Sequence, residues 1–162
     1  MVDLSSMQLP RVAQTVSGVA LGDLDGDGDL DVLLATGGTV SPPLLYDNDG
    51  TGVFRDLTAT RIAPGTVGAA HRFLLADLDG DGDLDVLVDA PYPGTLRNDG
   101  TGSFSPWQTL PGFAEFLGNG VPASTAAVGD VDLVFGRTQR FPSPWGWMSC
   151  MRNDGTGVFN WL

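Results

Sequence analysis

The stretch Gly22-Asp-Leu-Asp-Gly-Asp-Gly-Asp-Leu-Asp-Val-Leu33 recurs almost unchanged as Ala76-Asp-Leu-Asp-Gly-Asp-Gly-Asp-Leu-Asp-Val-Leu87. A second signature, Asn-Asp-Gly-Thr-Gly-x-Phe, occurs three times and begins at Asn48, Asn98 and Asn153. The two signatures alternate along the chain, which indicates an internal repeat of about 50 residues. A third copy of the first signature, residues 127–135, has lost the inner part of its loop.

Each repeat reads as four short strands separated by turns. In the first repeat an acidic loop separates two apolar segments, and an Asp-Gly turn separates two more, which is a strong hairpin signal. The predicted strands are residues 18–21, 31–35, 44–48 and 54–58. No stretch shows the sustained spacing of a helix. Because four-stranded units are typical of propeller blades, the sequence predicts an all-β fold of three β-propeller blades, each of four antiparallel strands.

The repeats indicate one module over residues 1–162, with repeats at about 10–60, 61–110 and 111–162. Residues 158–162 align with 53–57 and residues 2–5 with 55–58, so residues 1–9 are expected to complete an outer strand. Three blades are fewer than the usual ~4–8. We therefore expect a homo-oligomer that closes the ring, most simply a dimer with six blades. The alternative is a fragment of a longer repeat array, or a subunit of a larger cell-surface assembly.

Each acidic loop offers the oxygen ligands that calcium requires, which number about six to eight. In the first loop we expect side-chain oxygens from Asp23, Asp25, Asp27 and Asp31 and the backbone carbonyl of Asp29. The second loop repeats this arrangement with Asp77, Asp79, Asp81, Asp83 and Asp85. Without a cation these aspartates repel one another. The sequence therefore predicts two Ca²⁺ sites per chain.

Other metal sites fit the loops less well. An EF-hand needs a bidentate acid at its twelfth position and helices on both sides, but that position is Leu34 in the first loop and Val88 in the second. Neither loop contains His or Cys, which argues against zinc. Magnesium retains its waters and demands a strict octahedron, so calcium is the preferred ion.

These motifs resemble the FG-GAP or VCBS repeat of the integrin-α-type β-propeller. The resemblance extends from about Gly18 to the end of the chain and is most specific in the first two repeats. It implies blades whose first hairpins bind calcium through the aspartates named above. It also implies an extracellular or cell-surface location. Asp130 and Asp132 remain in the third repeat without the Gly-Asp-Gly turn, so we expect no calcium there.

The charge balance excludes some partners. The chain has 20 acidic and 8 basic residues and a net charge of −12, without a basic stripe. Nucleic acid and anionic membrane surfaces are therefore poor partners. No apolar run approaches the ~20 residues that span a bilayer, so we expect no membrane insertion.

A cluster of aromatic and basic residues in the third repeat suggests a second interpretation. Arg137, Arg140, Trp145 and Trp147 could stack on and hydrogen-bond to a glycan, as in a lectin of propeller type. The same residue types are enriched in cores and in interfaces between chains. A structural role is preferred, and a glycan or a protein stays an alternative partner.

Enzymatic activity is not expected. His71 is the only histidine and Cys150 the only cysteine, and no Ser-His-Asp arrangement, Gly-x-Ser-x-Gly motif or phosphate-binding loop occurs. Paired aspartates lie in the acidic loops, where a bound ion would keep them ionised and unsuited to acid catalysis. The sequence thus favours a calcium-binding structural or interaction module.

Overall fold

The computed structural model describes residues 9–11, 13–37, 43–63, 67, 70–90, 93–106, 108–109, 125–129, 132–136, 148–156 and 158–161. At 109, 125–129, 132–136, 148–150 and 161 it describes the backbone. Residues 1–8, which carry most of the predicted outer strand, lie outside these ranges.

The described chain forms three four-stranded antiparallel sheets, and in each sheet the strands follow one another in chain order. The predicted all-β class is therefore confirmed. The first sheet contains β1 (Thr15–Gly22), β2 (Asp31–Gly37), β3 (Leu44–Asn48) and β4 (Phe54–Asp56). The second contains β5 (Arg72–Ala76), β6 (Asp85–Asp89), β7 (Gly94–Leu96) and β8 (Gln108–Thr109). The third contains β9 (Thr125–Gly129), β10 (Asp132–Gly136), β11 (Met148–Asn153) and β12 (Phe159–Trp161).

The first hairpin of every sheet has the same register. Gly22 pairs with Asp31 in the first sheet and Ala76 pairs with Asp85 in the second. In the third sheet Gly129 pairs with Asp132. The loop between the paired residues shrinks from residues 23–30 and 77–84 to residues 130–131. Because a strand repeats its facing every two residues, this conserved register keeps corresponding residues on the same side of each sheet.

The second strands of the first two sheets are largely buried. All five residues of β6 are buried, and β2 is buried from Leu33 to Thr36. Each strand is flanked by partners on both edges and covered by neighbouring elements, which explains why these segments read as continuous apolar runs rather than as alternating patterns. The shared core joins the two sheets and contains Leu33, Ala35 and Leu45 from the first sheet and Phe73, Val86, Val88 and Leu96 from the second.

One prediction about the first sheet is wrong. The fourth strand ends at Asp56, and Thr58–Arg61 forms a single helical turn, α1. The hydroxyl of Thr58 accepts a hydrogen bond from the Leu45 N–H at 2.9 Å, and the Thr58 N–H donates to Asp56 Oδ1 at 3.0 Å. A turn of this length has no periodicity for the sequence to show. Among the described residues, no helix is long and apolar enough to cross a bilayer.

The first and second sheets approach each other closely along β1 and β5. The Ser17 hydroxyl donates to the Ala70 carbonyl at 2.8 Å, which ties β1 to the segment that leads into β5. A Cβ on Gly18 would lie 2.9 Å from Arg72 Cα, so this position requires the absence of a side chain. The acidic loops therefore lie at the ends of strands that are fixed by packing against a neighbouring sheet.

Candidate metal centres

Both acidic loops bring carboxylates together at the end of a first hairpin. Oxygens of Asp23, Asp25 and Asp27 lie within 4.8 Å of one another in the first loop. In the second loop the group comprises Asp77, Asp79 and Asp85, so the counterpart of Asp31 replaces the counterpart of Asp27. The structure thus gathers three of the five predicted aspartates in each loop, and the remaining predicted ligands stay predictions.

The first aspartate of each loop organises the turn. Asp23 Oδ1 accepts the Gly26 N–H at 2.8 Å and Oδ2 accepts the Gly28 N–H at 3.0 Å. The second loop repeats both bonds from Asp77, at 2.7 and 3.1 Å. Gly26 and Gly28 have φ values of 76° and 93°, a region that glycine enters without a steric penalty. These bonds fold the backbone of the loop around the carboxylate of its first aspartate.

The last aspartate of each loop is buried and links two segments through backbone hydrogen bonds. Asp31 has no exposed surface; its Oδ2 accepts the Leu24 N–H at 3.0 Å and its Oδ1 accepts the Asn48 N–H at 2.9 Å. Asp85 makes the same two bonds, to Leu78 at 3.0 Å and Asn98 at 2.8 Å. Burial raises the pKa of the Asp31 and Asp85 carboxyls, and the backbone hydrogen bonds oppose that rise. Each of these carboxylates thus connects the start of its loop to the segment at the end of the third strand.

The second aspartate of each loop has an oxygen without a hydrogen-bond partner. Asp25 Oδ1 and Asp79 Oδ1 are buried and have no hydrogen-bond partner among the described residues. The other oxygen of each side chain accepts from a guanidinium, Arg61 at 3.1 Å in the first loop and Arg97 at 3.0 Å in the second. A buried carboxylate oxygen without a donor is costly. The two free oxygens occupy matching positions, and this is the feature that a bound cation would explain.

The first loop has an additional carboxylate. Asp47 is buried, and its Oδ1 lies 3.2 Å from Arg61 Nη2, so Asp25 and Asp47 share one guanidinium. Burial raises the pKa of the Asp47 carboxyl, and the adjacent Asp25 carboxyl raises it further. In the second repeat the matching position, which also precedes the signature asparagine, is Arg97. The first loop is therefore the more strongly negative of the two.

The remaining loop aspartates contact neighbouring segments. Asp27 Oδ1 accepts the Asp29 N–H at 2.9 Å, and Asp81 and Asp83 repeat this bond at 3.0 Å. A Cβ on Gly100 would lie 2.6 Å from Asp83 Oδ2, so the Asp83 side chain lies against the Asn-Asp-Gly turn. Asp29 likewise lies against the first Asn-Asp-Gly turn. The contribution of Asp29 and Asp83 through backbone carbonyls stays a prediction.

An asparagine from each following sheet holds the acidic loop of the sheet before it. Asn98 Nδ2 donates to the Leu24 carbonyl at 2.7 Å and Asn153 Nδ2 donates to the Leu78 carbonyl at 2.6 Å. Arg97 adds a bond to the Thr156 carbonyl at 2.6 Å. Each acidic loop is therefore a joint between sheets as well as a hairpin loop.

Sequence reasoning identified the aspartates but missed the residues that support them. The Asn-Asp-Gly signature was interpreted as a turn, although its asparagine also holds the neighbouring loop. Arg61 and Asp47 have no counterpart at the same positions of the second repeat, so repetition could not reveal them. The predicted ligand-binding residues Arg137, Arg140, Trp145 and Trp147 lie outside the described residues.

The structural role of Asp31 can be tested separately from metal binding. In the presence of a chelator, Asp31→Asn should destabilise the chain by about 1–3 kcal/mol, because one buried N–H donor then faces an NH₂ group instead of an oxygen. Asp27→Asn is the matched control: Asp27 is exposed and the amide can still accept the Asp29 N–H. Urea unfolding measures both. Equal stability of the two variants would contradict the structural role of Asp31.

The inter-sheet bond can be isolated by comparing equivalent asparagines. Asn48 Nδ2 donates to Leu30 in its own sheet at 3.3 Å, whereas Asn98 Nδ2 donates both to Leu84 in its own sheet and to Leu24 in the sheet before it. Asn98→Ala should therefore cost about 1–3 kcal/mol more than Asn48→Ala, because the buried Leu24 carbonyl loses a donor. Denaturant unfolding of both variants measures the difference. Equal losses would show that the bond between sheets contributes nothing.

The comparison with protein families agrees with the geometry of the two loops. The model of the FG-GAP-like repeat matches residues 23–88, which run from the start of the first acidic loop through the second. No curated protein matches the chain. The match covers both sets of clustered aspartates, and it confirms the resemblance seen in the sequence. The chain is thus similar to the FG-GAP-like repeat family over residues 23–88.

Proposed function

We propose that this chain is a calcium-binding structural and interaction module of β-propeller type, in which one Ca²⁺ ion in each acidic loop staples a hairpin and the sheet that follows it. The observation that carries this proposal is the pair of buried, unpartnered oxygens, Asp25 Oδ1 and Asp79 Oδ1. Each lies in a group of three or more carboxylates. A bound cation would supply the missing partner and offset the repulsion among the aspartates.

The donor chemistry favours calcium over other ions. Every clustered group is a carboxylate, and Asp27 and Asp81 are exposed. Oxygen ligands on a flexible loop suit calcium, whereas magnesium requires a rigid octahedron and zinc prefers nitrogen or sulfur. Arg61 donates to one oxygen of Asp25, and Arg97 donates to one oxygen of Asp79. They reduce the negative charge and leave the second oxygen available.

For an ion to hold two sheets together, its loop must also be bonded to the sheet that follows. Leu24 provides this connection in the first loop: its N–H donates to Asp31 and its carbonyl accepts from Asn98 of the second sheet. Leu78 does the same with Asp85 and Asn153. An ion held by the carboxylates between these bonds would restrain the loop, the hairpin and the adjoining sheet together.

The arrangement of the sheets supports the propeller interpretation. The sheets follow each other in chain order, and the first strands adjoin, β1 with β5 and β5 with β9. Blades arranged around an axis place their first strands side by side in this way. Three such blades would form part of a ring, which a second chain would complete. The remaining properties of the proposal, an extracellular location and a binding rather than an enzymatic role, follow from the family and from the use of the aspartates as ligands.

Calcium should stabilise the chain by mass action. A melt in excess calcium should show a higher Tm than a melt in chelator, with a gain of about 2.7 kcal/mol per site when free calcium exceeds Kd a hundredfold. Asp25→Asn and Asp79→Asn should each remove part of the difference, since an amide is a weaker ligand than a carboxylate. Differential scanning calorimetry measures the effect.

The control for these variants is Asp49→Asn, which removes the same charge from an aspartate outside the clusters. It should retain the full calcium-dependent difference. Identical melting temperatures in calcium and in chelator would reject the stapling role.

A further inference from the structure

The first sheet exposes an apolar face, and the equivalent face of the second sheet is buried. Val19 and Leu21 on β1 are each 59 % exposed, and Leu30, which precedes β2, is 58 % exposed. Val19 and Leu21 are two residues apart and therefore share one side of the sheet. Contiguous exposed apolar side chains of this kind mark interaction surfaces more often than isolated ones do.

The internal repeat shows what such a face contacts. Through the common register of the first hairpins, Val19 corresponds to Phe73, Leu21 to Leu75 and Leu30 to Leu84. Phe73 is 4 % exposed and belongs to the core between the sheets, and Leu75 and Leu84 pack against that core. The same three positions are thus covered in the second sheet because the first sheet lies against them.

The covering surface in the first sheet is lined by small residues. Positions 18, 20 and 22 of β1 are Gly18, Ala20 and Gly22. A Cβ on Gly22 would lie 2.6 Å from Leu75 Cδ1 and 2.9 Å from Leu84 Cδ1, so the leucines pack directly on the glycine. A face like that of Val19, Leu21 and Leu30 therefore fits a first strand with small residues at alternate positions.

The third sheet has such a strand. Because Gly129 pairs with Asp132 as Gly22 pairs with Asp31, the positions of β9 that match 18, 20 and 22 are Thr125, Ala127 and Gly129. The corresponding positions of β5 carry the larger Arg72 and Leu74 with Ala76.

We propose that the face formed by Val19, Leu21 and Leu30 binds a second copy of this chain head to tail, by packing on the β9 strand of that copy. The inference rests on the propeller arrangement proposed above, but not on calcium occupancy. A heterologous contact either closes into a ring or continues as a filament. Two copies would bring six sheets together, within the ~4–8 blades that close a propeller, so the closed dimer is the expected product.

The test is the mass of the full chain in solution, measured by sedimentation velocity over a range of concentrations. The wild type should sediment with the mass of two chains, and the double variant Val19→Asp/Leu21→Asp with the mass of one. Both residues are exposed, so their replacement should leave the fold intact, which circular dichroism checks. Val53→Asp, which alters a 46 % exposed valine elsewhere, should remain a dimer. A monomeric wild type, or a dimeric double variant, would overturn the proposal.

A second variant tests the head-to-tail geometry. Ala127→Arg, on the proposed receiving strand, should also be monomeric. An equimolar mixture of this variant with Val19→Asp/Leu21→Asp should regain the two-chain mass, because one interface of the ring stays intact. If Ala127→Arg remains a dimer while the double variant does not, the exposed faces pair with each other and the head-to-tail contact is wrong.

Calcium separates this inference from the proposed function. Every mass measurement is repeated in chelator, and calcium binding of the double variant is measured by calorimetry. A dimer that forms without any calcium binding would reject the stapling role and leave the self-association intact. A wild-type monomer that binds calcium would reject the self-association alone.

Discussion

A buried carboxylate at the base of each acidic loop organises the first two sheets. Asp31 and Asp85 each accept two backbone N–H bonds, one from the loop and one from the end of the third strand. The side chains of Asn98 and Asn153 extend this arrangement, since each donates to the loop of the preceding sheet. The result is a continuous series of hydrogen bonds from the first sheet to the third. Because a buried donor or acceptor without a partner is costly, each sheet depends on the correct placement of the next.

The aspartates in each loop divide between two tasks. Asp23 and Asp31 in the first loop, with Asp77 and Asp85 in the second, satisfy backbone donors and fix the shape of the loop. Asp25 and Asp79 each have a buried oxygen that no described donor satisfies. The chain has a net charge of −12, and ten of its acidic residues lie in these two loops. Some of these carboxylates stabilise the fold through hydrogen bonds, and the others require a counter-ion. Arg61 and Arg97 supply one positive charge at each loop, and each proposed calcium ion would supply two more.

The repeated elements were predictable and the singular ones were not. Repetition of the acidic motif and of the Asn-Asp-Gly turn predicted the hairpins at Asp31 and Asp85, because both loop spacing and apolar runs report on strands. The helical turn at Thr58–Arg61 depends on hydrogen bonds to Leu45 and Asp56, which local periodicity does not encode. The two-oxygen role of Asp31 was likewise hidden, because a motif shows that a carboxylate is present but not which N–H groups surround it. Asp47 and Arg61 enter the first site from distant positions that only the folded chain brings together.

The unsatisfied oxygens of both loops are proposed to belong to calcium sites. Isothermal titration of chelator-treated protein with calcium tests this claim most directly, because it counts the ions bound by each chain. We expect two calcium ions per chain, and one ion per chain for a variant in which Asp79 is replaced by asparagine. No measurable binding, or a stoichiometry that is unchanged when both Asp25 and Asp79 are replaced, would contradict it.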